Sequence, residues 1–165
     1  MNLRSLKVVH FRGLPQIQVR DLPEQGVARV PLPPDRSGAD LAAAVRFALV
    51  GAAAGDAPVV TEGEGYAYVE LGFRLPADSQ ASLFRGVDRR GTEQVSLREE
   101  GGLRVTGGAD AVRDRLHELL GDDLDAWCDA ACAGAVPTDG AAVAGLLAAV
   151  GVPSGSDAIP DDAGE

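Results

Sequence analysis

The chain has 165 residues, 45% hydrophobic and 24% charged, enough for one domain with a single buried core. Its formal net charge of −10 argues against direct DNA binding by the chain alone, since duplex binding normally requires a broad basic face. No apolar run would span a bilayer, the N-terminus lacks the apolar core of a signal peptide, and Cys128 and Cys132 make no disulfide framework, so a cytoplasmic protein is expected.

The charge is unevenly placed. All 15 Lys and Arg residues lie at or before Arg115, where 15 of the 25 Asp and Glu balance them; the other ten acids, from Glu118 onward, have no basic partner in sequence. Arg4, Lys7, Arg12 and Arg20 precede the first acid, Asp21. They are read as solvated surface charge in preference to a small anion-facing patch.

In chain order, residues 3–11 (LRSLKVVHF) read as a first strand, punctuated by Arg12-Gly13-Leu14-Pro15. Residues 16–20 resume it, with Ile17 and Val19 alternating against polar neighbours. The stretch 26–51 then reads as a short strand at 27–30, a turn with Pro31, Pro33, Pro34, Ser37 and Gly38, and a helix. Leu41, Val45, Ala48 and Leu49 form the apolar stripe of that helix, and Asp40 is placed to cap it. Residues 52–65 are small and Gly-rich, a loop with a short strand at 58–61.

Residues 66–75 make the clearest strand. Ala67, Val69, Leu71, Phe73 and Leu75 face one way; Tyr66, Tyr68, Glu70 and Arg74 face the other. Shorter strands follow at 82–87, 94–98 and 103–106, separated by two turn sequences, DRRG and EEGG. This is an antiparallel meander with one buried face. A helix capped by Asp110, with Val112, Leu116, Leu119 and Leu120 on one side, ends at Gly121. A second is expected at 122–133, a third, apolar and short, within 137–150, and an acidic disordered tail at 151–165.

The sequence LKVVHFRGL, a second strand, a loop, and the helix LAAAVRFALVG resemble the N-terminal lobe of SMC-like ATPases of the SbcC and RecF type. Leu41, Ala44, Val45, Phe47, Ala48, Leu49 and Gly51 fit the family's first helix without a gap, and LHELLGDDLDAW is similar to the segment before its glutamine loop. The resemblance covers residues 1–136. It implies an α/β fold of the P-loop NTPase kind, a mixed sheet plus an antiparallel side sheet, with two or three C-terminal helices.

The loop departs from that pattern. A phosphate loop needs G-x-x-x-x-G-K-S/T, so that backbone N–H groups and an ammonium converge on phosphate and a hydroxyl holds magnesium. The family's register puts Leu32 and Ser37 at the glycines, Gly38 at the lysine and Ala39 at the hydroxyl. The prolines have no N–H to donate. Lys7 is the only lysine in the chain, and Arg36 is a poor substitute for a compact ammonium. The glutamine loop would fall at 131–136 with Ala133 in place of glutamine, and nothing resembling the family's C-terminal lobe occurs in the remaining residues.

Other candidates have ordinary readings. Cys128, Cys132 and His117 lack a fourth ligand and the spacing of a zinc site, so helix-face packing is preferred. Asp122, Asp123 and Asp125 lack the glycine and terminal glutamate of a calcium loop. His10 is read as structural. No Ser-His-Asp set is assignable.

The sequence is therefore expected to encode a degenerate, non-catalytic lobe of this kind, an interaction or regulatory module in bacterial DNA repair or chromosome maintenance. The alternative is an ATP-binding subunit that functions only with a partner lobe. No cofactor, metal or catalytic residue is expected. Arg12 and Arg36 are the candidate anion contacts, and an SMC-like lobe or a second copy of the chain is the expected partner.

Overall fold

The structure is a computed structural model that describes residues 2–22, 32–36, 38–52, 56–75, 78–99, 101 and 103–120. These residues form β1 (Asn2–Val9), β2 (Ile17–Val19), α1 (Gly38–Val50), β3 (Tyr66–Arg74), β4 (Gln80–Asp88), β5 (Glu93–Glu99), β6 (Arg104–Gly107) and α2 (Ala109–Leu120). The strands lie in the order β2-β1-β3-β4-β5-β6, and each neighbouring pair is antiparallel. The fold is α/β, as expected. The strand expected at 27–30, which would supply the mixed character, lies outside the described residues, as do the helices expected at 122–133 and within 137–150 and the tail.

The opening hairpin and the meander are one sheet, because β1 pairs with β3 from Asn2↔Arg74 to Val9↔Tyr68. The short strand expected at 58–61 is a single bridge, Phe11↔Val60. Alternation in β3 follows the sequence reading, with Ala67, Val69, Leu71 and Phe73 all buried. Register aligns Leu6, Leu71, Leu83 and Leu97 as successive cross-strand partners, none more than 4% exposed. Burial of each contributes about 1.5–3 kcal/mol.

Both helices pack on this face, joining Ala44, Val45, Ala48, Leu49, Val112 and Leu116 to the same core. Leu41, on the expected stripe, is only half-buried, while Phe47 is buried with its ring 5.5 Å from Phe11. The helices begin earlier than the sequence suggests. Asp40 and Asp110 therefore lie inside the first turns, where they favour the positive end of the helix dipole instead of occupying the capping position. Gly51 ends α1 at φ +84°, with its N–H donating to Phe47 O at 2.9 Å, as a left-handed C-terminal residue does.

Two charges are buried in this apolar face. Arg85, 3% exposed, stands in the row Val8–Val69–Arg85–Val95. Its Nε donates to Ala48 O at 3.1 Å and its guanidinium pairs with Glu93, satisfying one of the last carbonyls of α1. Glu99, 4% exposed, accepts two bonds from Arg115 of α2, at 3.0 and 2.8 Å. The bidentate Arg115 holds the Glu99 carboxyl below the usual glutamate range, against the opposing effect of burial.

Two measurements test this packing. Leu71→Ala should lose about 2–5 kcal/mol in urea unfolding. The lowered Glu99 pKa means its stabilisation is complete above the unfolded-state pKa and lost as pH falls through the folded one. Thermal melts of the chain and of Glu99→Gln should therefore differ most at neutral pH and converge as pH falls below the ordinary glutamate range. A difference that does not change with pH would refute the pairing.

Candidate functional site

The first candidate site is the turn after β1, where Arg12 follows the buried Phe11. Arg12 (φ 44°) and Gly13 (φ 76°) both take left-handed backbone. The turn is fastened to the segment at 59–61. Arg12 N–H donates to Val59 O and Thr61 N–H to His10 O, both at 2.8 Å, and Gly13 N–H donates to Thr61 Oγ1 at 2.8 Å. Phe11 meets Phe47, so α1 and the turn hold each other in place, and the Arg12 guanidinium lies 5.2 Å from the Phe11 ring.

Three arginines come to this turn. Arg12 Nη2 and Arg46 Nη1 lie 3.4 and 3.6 Å from the same Asp56 oxygen. Arg36 pairs with Asp35 at 3.8 Å, and its guanidinium lies where a side chain at Gly13 would stand. Arg12 and Arg36, the two anion contacts expected from sequence, both line one open depression of about 680 Å³, with Gly13, Pro58, Thr61 and Glu62 among its other walls. Arg12 Nε is buried with no hydrogen-bond partner among the described residues.

Of the residues read as the degenerate loop, three are described. Leu32 is half-buried against the core, Gly38 opens α1 and Ala39 is exposed in its first turn. Ser37 lies outside the described residues, as do Cys128, Cys132, Ala133 and the acids at 122, 123 and 125. Lys7 points away from α1, with Nζ 5.4 Å from the centre of the Tyr68 ring on the opposite sheet face. Among the described residues no group of three His, Cys, Asp or Glu side chains is placed to hold a metal, and no helix is long and apolar enough to cross a membrane.

Sequence reasoning missed Arg46 and Asp56. Arg46 sits on a helix that was read by its apolar stripe, and Asp56 is in the small-residue loop. Their pairing joins positions that no local pattern relates. An arrangement of this kind can hold an anion only by competing with Asp56 for two of its three cations.

No family model matches the sequence, and no curated protein matches it significantly. Solved structures do match. One, described as "Structural biochemistry of ATP-driven dimerization and DNA stimulated activation of SMC ATPases", aligns at TM-score 0.57 and 16% identity, covering 73% of this chain and 80% of that one. A RecF–ATP structure aligns at TM-score 0.49 and 19% identity, and a RecF–ATPrS structure at 0.49 and 15%. They cover 58% and 67% of this chain, which spans only 26% and 29% of theirs. The first of these alignments bears out the resemblance to SMC-like ATPases as a likeness of fold.

Gly13→Ala tests the close approach of Arg36. It should destabilise the chain by about 1 kcal/mol or more in denaturant titration. Gly63→Ala, also at positive φ but with nothing within 4 Å of the added carbon, should cost less. Equal losses would mean that the Arg36 contact carries no weight.

Proposed function

We propose that this chain is a non-hydrolysing SMC-like lobe that serves as a protein-interaction or regulatory module in bacterial DNA repair or chromosome maintenance. The observation that carries the reading is the place of Lys7. The only lysine of the sequence lies over Tyr68, on the sheet face opposite α1, while Gly38 and Ala39 occupy the start of that helix. A phosphate loop of the family kind needs an ammonium there. The cations near the helix are arginines, and Arg12 and Arg46 share Asp56. The partner expected is another SMC-like lobe or a second copy of the chain.

One observation favours the second reading, an ATP-binding subunit that acts only with a partner lobe. Arg12 and Arg36 line the same depression, and two guanidiniums at one opening suit a phosphate.

Calorimetry with Mg-ATP separates the readings. The chain alone should give no binding heat in the micromolar range, and Arg12→Ala should change nothing. A Kd in the low micromolar range, roughly −8 kcal/mol, abolished by Arg12→Ala, would replace the first reading with the second. Sedimentation of the full chain tests the partner. A concentration-dependent dimer supports self-association, and a monomer up to high concentration leaves a separate lobe as the occupant.

A further inference from the structure

Both helices lie on one face of the sheet, and the middle of the other face is held by its own contacts. His10, Tyr66, Tyr68 and Phe84 make a row of rings with successive centres 5.4, 6.2 and 5.4 Å apart. Beside it is an open trough of about 860 Å³. There Lys7 lies over the Tyr68 ring, Ser82 Oγ donates to Glu70 at 3.2 Å, and Arg74 pairs with Asp78. The edge of the sheet is different. Among the described residues, Tyr66, Leu103 and Val105 are the large hydrophobic side chains exposed to solvent, and two of them stand at one edge. Val105, 59% exposed, lies in β6, and Leu103, 88% exposed, immediately precedes it.

β6 is the last strand of the sheet, and no strand among the described residues pairs with its outer side. Gly108 N–H donates to Val95 O at 3.0 Å, and bonded pairs in an antiparallel ladder recur at every second residue. Leu97↔Thr106 and Glu99↔Arg104 are therefore the bonded pairs of β5 and β6. The N–H and C=O groups of Leu103, Val105 and Gly107 point outward. Val105 and Gly107 stand opposite Arg98 and Ser96, so their side of the strand is the helix-free face. Sheet edges are ordinarily blunted by proline, lysine or an inward-pointing charge. β6 reads RVTG, with neither proline nor lysine, and Arg104 turns to Glu99 on the helix side, at 3.8 Å.

We propose that β6 pairs antiparallel with β6 of a second copy of the chain, about a two-fold axis through Val105. The proposal rests on the reading of the chain as an interaction module and names the surface that module uses. An axis through Val105 sets Val105 against its counterpart, Leu103 against Gly107 and Arg104 against Thr106. Outward-pointing backbone groups then meet one another, and no like charges are opposed. An axis one residue earlier would also match the backbone groups, but it would set Arg104 directly against Arg104, which is destabilising. Leu103 also finds room across the axis, because a carbon added at Gly107 would have nothing within 4 Å. β6 is thereby its own complement in backbone, size and charge. Two six-stranded sheets join into one, with the helices of both copies on the same side, and a self-complementary contact of this kind closes at two copies.

Sedimentation of the full chain tests it, at about 150 mM salt so that repulsion between two copies of net charge −10 is screened. A monomer–dimer equilibrium is expected. Val105→Lys sets two ammoniums against each other on the axis, and Val105→Pro removes only an outward N–H. Each should weaken the dimer about tenfold or more. Leu103→Lys, at a residue 88% exposed, should weaken it too and serves if Val105→Pro melts early. In amide exchange of the parent chain, the Val105 and Gly107 N–H groups should be protected at high concentration and lose protection on dilution. A monomer at every attainable concentration would overturn the proposal and leave a separate lobe as the partner. A dimer that keeps its strength in both Val105 variants, or leaves the Val105 amide unprotected, would overturn it and leave self-association through another surface. Neither result touches the non-hydrolysing reading, which the Mg-ATP titration tests separately.

Discussion

The lateral row Leu6–Leu71–Leu83–Leu97 is the constraint on which the rest of the molecule depends. Four strands contribute one leucine each, in register, and both helices rest on the surface they create. A one-residue slip in any of these strands would exchange its leucine for the next residue in line. Those residues are Lys7, Glu70, Phe84 and Arg98 or Ser96, all on the opposite face. The same register that buries the core therefore assembles the ring row and the trough, so neither face could be altered in pairing without destroying the other.

Hydrophobic contact alone would let a helix slide on such a surface. The two buried charges prevent it. Arg85 reaches Ala48 O at the end of α1, and Glu99 holds Arg115 of α2 by two bonds. Each is a group whose burial is costly if its partner moves away, so each favours one docked position of its helix. Fixing the end of α1 also fixes Phe47 against Phe11, and through it the turn that carries Arg12.

Much of this was legible in the sequence, and the exceptions share a cause. The alternation from Tyr66 to Leu75, the apolar stripe of α1 and the turn Asp88-Arg89-Arg90-Gly91 are local patterns. In that turn Asp88 Oδ1 accepts N–H bonds from Arg90 and Thr92 at 2.8 and 2.9 Å. Arg85 and Glu99 were in plain view, each two residues beyond a core leucine, but a charge in an apolar alternation shows only that a partner is required. Which partner it finds depends on contacts between distant segments. The same holds for the site. Arg12 and Arg36 are candidate anion contacts in the sequence, whereas the convergence of Arg12 and Arg46 on Asp56 depends on the docking of α1. Tyr66 and Tyr68 were recognised as sharing a face, but His10 and Phe84 join them only through strand pairing. The helix starts were misplaced because capping signals were read from the carboxylates, while the helices begin ahead of Asp40 and Asp110.

Ion pairs within the fold position the elements that carry them. On the helix side, cations meet carboxylates supplied by the fold itself: Arg12 and Arg46 at Asp56, Arg85 at Glu93, Arg115 at Glu99. An incoming phosphate there must displace a carboxylate and leave it without its cations, which offsets much of what the phosphate gains. On the open face Arg74 likewise meets Asp78. Charge already neutralised internally serves to position elements. By that criterion the arginines around α1 belong chiefly to the architecture.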